Sequence, residues 1–239
     1  MKNIYKSFHS SAGEDRWITD NVELSDDGVF VDIGAAAARY RSNTYHFEKN
    51  GWSGLCIDAD PHWFSKCDGT CGEPHVCDSL TEYRKTPVQV AVGLENGMVT
   101  FHQKDRHVLS SIGGIGKGNT INEIQVEKKT INTILEEHSM TNIDLLSIDC
   151  EGNDFEIWES LDREKHPVKV VIIEWIYKDK DKFKEQWSTL YSDYDLVFEN
   201  TCNMIYTHNS ITPPTNTHFV GPGRDVYKSS CYTDTLWDK

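Results

Sequence analysis

The chain has 239 residues, of which 38% are hydrophobic and 11% aromatic, which excludes a disordered or low-complexity protein and fits one domain with a small appendage. Its 24 Lys and Arg against 38 Asp and Glu give a formal charge of −14, so the surface repels phosphates and argues against sequence-independent nucleic-acid or anionic-membrane binding. The longest apolar stretch, 168–176, carries Lys169 and Glu174 and is too short to span a bilayer. Seven cysteines without scaffold spacing and an N-terminus without an apolar h-region lead to the expectation of a cytoplasmic protein with free thiols.

Apolar runs alternate with amphipathic stretches, which predicts an α/β fold with a largely parallel sheet. The expected divisions are an N-terminal helical extension over 1–27, a main domain over 28–210, and a tail over 211–239 packed on or near it. Residues 28–33 predict a buried first strand and 39–50 a helix that stops at Gly51. Residues 54–58 predict a second strand, with Pro61 in the first turn of the next helix. A third strand follows at 88–92, then two added antiparallel strands at 98–102 and 124–128. Thr130 is placed to cap a helix over 131–138. A buried strand at 143–149 precedes Phe155, Trp158 and Leu161 at helical spacing. The fifth core strand is 168–174, and a polar helix over 181–191 and a hairpin of 194–198 with 204–206 close the domain. Two segments rich in glycine and polar residues, 67–77 and 110–118, fit neither period.

Chemistry concentrates at three strand ends. At the first, Asp32-Ile33-Gly34-Ala35 runs from a strand toward a helix. Gly34 and the small alanines let a ligand approach the backbone, and the free N–H groups of a helix N-terminus favour negative charge. Ligands of open α/β sheets bind at the carboxyl ends of strands, so a nucleotide-like cofactor is expected. Asp32 bears on its identity: a carboxylate repels the pyrophosphate of a dinucleotide and attracts the sulfonium and ammonium of S-adenosylmethionine. At the second strand end, Asp58 is placed to accept hydrogen bonds from both ribose hydroxyls. At the third, Asp149-Cys150-Glu151-Gly152 sets two carboxylates beside a glycine turn, and Glu174 ends the next strand. Asp149, Glu151 and Glu174 converging there would hold a divalent metal or supply a general base.

Taken in order, these segments resemble the FkbM family of S-adenosylmethionine-dependent methyltransferases. The resemblance runs over most of residues 8–206. It is carried by Gly13-Glu14-Asp15-Arg16-Trp17, Phe30-Val31-Asp32-Ile33-Gly34-Ala35, Ser42-Asn43-Thr44-Tyr45, Gly51-Trp52, Ala91-Val92-Gly93, Ser110-Ser111-Ile112, Ser147-Ile148-Asp149 with Glu151-Gly152, and Ile172-Ile173-Glu174. It implies a class I methyltransferase (Rossmann-like) fold: a seven-stranded, mostly parallel sheet with one reversed strand and helices on both faces. It implies methyl transfer, usually to a hydroxyl of a sugar or small metabolite. Asp32, Gly34 and Ala35 would then face the methionine part of the cofactor, and Ser42 and Asn43 its carboxylate. Asp58 with Ala59 would hold the ribose, the backbone from Gln89 to Ala91 would approach adenine, and Asp149, Glu151 and Glu174 would line the acceptor side. Ala38 stands where the family's loop has a further glycine, and Asp58-Ala59-Asp60-Pro61 where Glu-Pro is frequent. The Asn/Asp-Pro-Pro-aromatic motif of base-amino methyltransferases is missing after the fourth strand, which suits an oxygen acceptor.

Two rivals share the architecture: an NAD-dependent oxidoreductase, against which Asp32 argues, and a non-catalytic cofactor-binding module, which Ala38 favours. Cys67, Cys71, His75 and Cys77 lie close enough in the chain to hold zinc, although not at the usual paired Cys-x-x-Cys spacing. The glycines at 113, 114, 116 and 118 lack the preceding strand and the Lys-Ser/Thr ending of a phosphate loop. His107 is a candidate base. The expected partner is a small-molecule or carbohydrate acceptor, with no nucleic acid and no membrane span.

Overall fold

The computed structural model describes residues 8–66, 78–114, 118–175 and 179–219. The chain opens with α1 (Glu14–Asn21), β1 (Val29–Ile33), α2 (Tyr45–Lys49) and β2 (Ser53–Asp58). A 3-10 turn at Pro61–Phe64 leads to α3 (Leu80–Tyr83), β3 (Pro87–Gln89) and β4 (Ala91–Val92). Next come β5 (Gly97–Lys104), β6 (Ser111–Ile112), β7 (Thr120–Lys129), α4 (Ile131–Glu137) and β8 (Ile143–Ile148). The last elements are α5 (Asp154–Ser160), β9 (Val168–Glu174), α6 (Lys180–Leu190), β10 (Tyr194–Glu199), β11 (Asn203–His208) and β12 (His218–Phe219). No helix among the described residues is long and apolar enough to cross a membrane.

The main sheet has the order β12-β10-β11-β9-β8-β1-β2-β3. β1 pairs in parallel with β2 and β8, β8 with β9, and β2 with β3, while β11 runs antiparallel to both β9 and β10. The sheet is therefore mixed and mostly parallel with one reversed strand. It has eight strands, not the seven expected, because the two residues of β12 add to the edge beside Phe198 and Glu199.

Alternation along the strands feeds two cores. Val31 and Ile33 of β1 join Ile134 of α4, Trp158 of α5 and Trp187 of α6 on one face. Phe30 joins Trp17 of α1, Phe47 of α2 and Leu80 of α3 on the other. Helices thus cover both faces. Each fully buried large apolar side chain contributes about 1.5–3 kcal/mol relative to exposure, and Trp17, Trp158 and Trp187 are all in this class.

Two further expectations are corrected. The helix over 39–50 is only the five residues of α2. Arg41 adopts φ 61 and bridges to Ser10, and the Ser42 hydroxyl accepts from the N–H groups of Thr44 and Tyr45, so residues 39–44 form a turn that ends where the helix begins. The third strand splits at Val90, with β3 pairing with β2 and β4 with β7. The added strands β5 and β7 do pair antiparallel, as expected, and they lie in a separate four-stranded sheet, β4-β7-β5-β6. Thr130 caps α4 as expected, its hydroxyl accepting from the Thr133 N–H at 3.1 Å. The quartet Cys67, Cys71, His75 and Cys77 lies outside the described residues, as do Gly116, Lys117 and the tail beyond 219.

Candidate active site

The split at Val90 carries the chain from the main sheet to the second one, and a cleft open to solvent lies where the two meet. Its floor is the carboxyl ends of main-sheet strands: Gly34 after β1, Asp58 and Ala59 at β2, Val90 and Ala91 after β3, and Asp149, Cys150 and Glu151 after β8. Phe101 and Ile112 of the second sheet, with His107 on the 3-10 turn between β5 and β6, close it.

Gly34 sits at φ 76, and a Cβ there would lie 1.7 Å from the Asp149 carbonyl oxygen. The glycine is thus required by the close approach of the β1 and β8 ends, which the Asp149 N–H locks by donating to the Ile33 carbonyl at 3.0 Å. The N–H groups of Gly34 and Ala35 are both taken by the Ile57 carbonyl. Asp58 accepts from the Ala36 N–H through one oxygen and from the Asp60 N–H through the other, each at 2.8 Å. Burial outweighs these two bonds and pushes its carboxyl up to about 7.

Asp32 faces away from this cavity. Because Val31 and Ile33 point into one core, Asp32 points with Phe30 into the other. There the Thr44 hydroxyl donates to it at 2.5 Å, and the Arg84 guanidinium lies 3.8 Å away. Arg84 also donates to Glu48, to the Thr44 and Ser42 hydroxyls and to the Ala38 carbonyl. Burial raises the Asp32 carboxyl, with the neighbouring Arg84 charge opposing the shift. Ser42 belongs to this network, and Asn43 donates to the Ser147 hydroxyl at 3.1 Å. Neither lines the cavity, nor do Ala35 and the exposed side chain of Gln89. Ala38 is fully buried beside Arg84, away from the cavity, so the methyl that departs from the family pattern meets no ligand surface.

The acidic cluster is made differently from expectation. Ligand oxygens of Asp149, Asp154 and Glu174 lie within 4.8 Å of one another. Glu151 stands apart from that trio on the cavity wall, at φ 57. Asp154, which opens α5, accepts from the N–H groups of Cys150 and Gly152 at 2.7 and 3.1 Å and so holds the turn after β8. Its position just before the Phe155/Trp158 helical repeat was the available signal. Burial, then the like charges of Asp154 and Glu151, pushes the Asp149 carboxyl well up, and burial with Asp149 does the same to Glu174.

The candidate base His107 reaches the cavity wall beside Asp60, a partner its local sequence does not announce. His107 Nδ1 lies 2.8 Å from Asp60, and the His107 ring stacks on His62 with centroids 3.8 Å apart. Asp60 also accepts from the His62 N–H and the Gln103 side chain at 3.0 and 2.6 Å. Burial raises Asp60, but these three hydrogen bonds outweigh it and hold the carboxyl below the ordinary value.

The fold is thus an α/β protein with a strand-end cavity at the carboxyl edge of a mostly parallel sheet with one reversed strand. The family model of the methyltransferase FkbM domain matches residues 32–199, and the chain belongs to that family. It is therefore a methyltransferase at family level. No curated protein and no solved structure gives a match.

Proposed function

We propose that the chain is an S-adenosylmethionine-dependent O-methyltransferase acting on a hydroxyl of a carbohydrate or small metabolite. The observation that carries this reading is the make-up of the cavity wall. Its ionisable lining is Asp58, Asp149, Cys150, Glu151 and His107, with no Lys or Arg among the described residues. With Asp58 ionising near 7 and the Asp149 carboxyl pushed well up by burial, this wall offers hydrogen-bond acceptors for the ribose hydroxyls and the ammonium of S-adenosylmethionine. A lining without Lys or Arg among the described residues likewise disfavours the diphosphate of NAD. The order of the sheet, with β2 and β3 on one side of β1 and β8, β9 and the reversed β11 on the other, supports the class I methyltransferase arrangement.

In this reading Asp58 accepts the ribose hydroxyls, Ala59 and Ala91 flank the adenine, and Gly34 floors the methionine end. Asp32, Ser42 and Asn43 act at one remove, by fixing the turn that follows β1. Asp149 and Glu151 face the acceptor and orient or deprotonate its hydroxyl. His107 is a further proton acceptor on the same wall, since a neutral imidazole that donates from Nδ1 to Asp60 keeps Nε2 free to take a proton. The cofactor supplies an electrophilic methyl: the acceptor oxygen bonds to that carbon while the carbon–sulfur bond breaks, its electron pair stays on sulfur, and the hydroxyl proton passes to the base. A thermal-shift comparison tests the reading. S-Adenosylhomocysteine is expected to raise the melting temperature and NAD to leave it unchanged, and the reverse pattern overturns the assignment.

A further inference from the structure

The geometry points to a divalent-cation site formed by Asp149, Asp154 and Glu174 at the acceptor end of the cavity. These side chains come from three elements, the end of β8, the first turn of α5 and the end of β9, yet each offers an oxygen within 4.8 Å of the others. Glu174 gives an independent indication. It is 8% exposed, and its Oε2 is buried with no hydrogen-bond partner. Buried carboxylate oxygens ordinarily find a donor or a metal. No hydrogen bond or ion pair reaches the Asp149 or Glu174 carboxylate from the described residues. Asp154, by contrast, is oriented by the N–H groups of Cys150 and Gly152, as an anchored ligand is.

An all-oxygen donor set selects a hard cation such as Mg²⁺, Mn²⁺ or Ca²⁺ over zinc or copper. Three carboxylates leave part of the roughly six-coordinate shell of such an ion open to water and to oxygens of a second ligand. Asp149 also lines the cavity, so the open side faces the space where an acceptor would lie. On the methyltransferase reading, the cation would bind the acceptor hydroxyl and lower its pKa, which makes an oxygen-rich acceptor such as a sugar the natural substrate class. Cation binding itself does not depend on that reading.

The test uses the full chain stripped with a chelator and titrated with Mn²⁺ alone, followed by electron paramagnetic resonance. The expected result is saturable binding of one ion per chain that Mg²⁺ displaces. Binding should be at least about tenfold weaker in Glu174→Gln and in Asp149→Asn, and unchanged in the surface control Glu127→Gln. Mn²⁺ should raise the melting temperature of the wild type and leave that of Glu174→Gln unmoved, so a variant that folds is distinguished from one that does not. Absence of saturable binding at millimolar Mn²⁺, or equal binding by wild type and Glu174→Gln, overturns the proposal. S-Adenosylhomocysteine titrated against the same samples separates the two readings: its failure to bind bears on the cofactor and leaves the cation result standing.

Discussion

Arg84 and Glu48 form an ion pair out of contact with water, Nε to Oε2 at 2.5 Å, with side chains 0% and 4% exposed. The same guanidinium faces Asp32 and ties down Ser42, Thr44 and Ala38, so one cation holds the turn that connects β1 to α2. Removing one partner of such a pair strands the other charge in the interior. Arg84→Met should therefore lower the unfolding free energy by about 3–5 kcal/mol in urea titrations, and a loss below about 1 kcal/mol would contradict this assignment.

Gly34 allows no side chain. Its φ is 76, and a Cβ at this position would come within 1.7 Å of a carbonyl oxygen, which leaves a methyl nowhere to go because the neighbour is backbone. Gly34→Ala should destabilise by about 3 kcal/mol or more. Denaturant midpoints equal to wild type would show that the β1 and β8 ends are not in contact.

Asp58 links binding to pH. Its carboxyl is raised from 3.8 to about 7 by burial, so it is largely protonated at pH 6 and ionised at pH 8. An ionised carboxylate is the better acceptor for two hydroxyls, so S-adenosylhomocysteine should bind more tightly as pH climbs through 7, by up to about tenfold per unit below that point. Stability of the ligand-free chain moves the other way. A raised acid favours the fold while protonated, so this contribution is whole below about pH 4 and is lost as pH passes 7. Asp58→Asn should flatten both trends, which calorimetry and thermal melts across pH 5–8 would reveal.

Proton removal is tested by radiolabelled methyl transfer to hydroxylated acceptors. Glu151→Gln and His107→Ala should keep cofactor binding, and at least one should lose about 100-fold or more in turnover. Full activity in both would remove these residues from the chemistry.

Much of the fold was legible because it is written in local pattern. The 168–174 run matches β9 residue for residue, and the hairpin of β10 and β11 and the Thr130 cap are where periodicity and capping chemistry put them. Elements decided by distant partners were not legible. The turn at 39–44 depends on Ser10 and Arg84, and the break at Val90 depends on β7 waiting in a second sheet. Nothing beside Arg84 marks it as buried. The site was legible in part: Asp58, Ala59, Ala91, Asp149 and Glu151 meet around one cavity, while Asp32 does not. Alternation between Val31 and Ile33 carried the signal for its direction, but a carboxylate at a strand end draws attention to charge before facing.

On the proposed function, Asp58 meets the ribose of a sulfonium cofactor in this cavity, and Asp32, assigned from sequence to the methionine end, stays out of contact with it. Isothermal titration with S-adenosylhomocysteine compares the two carboxylates directly. The account predicts one site per chain, weakened at least about tenfold by Asp58→Asn, the loss of roughly 1.4 kcal/mol or more, and less than about threefold by Asp32→Asn. No binding at millimolar ligand, or a larger effect from Asp32→Asn than from Asp58→Asn, would contradict it.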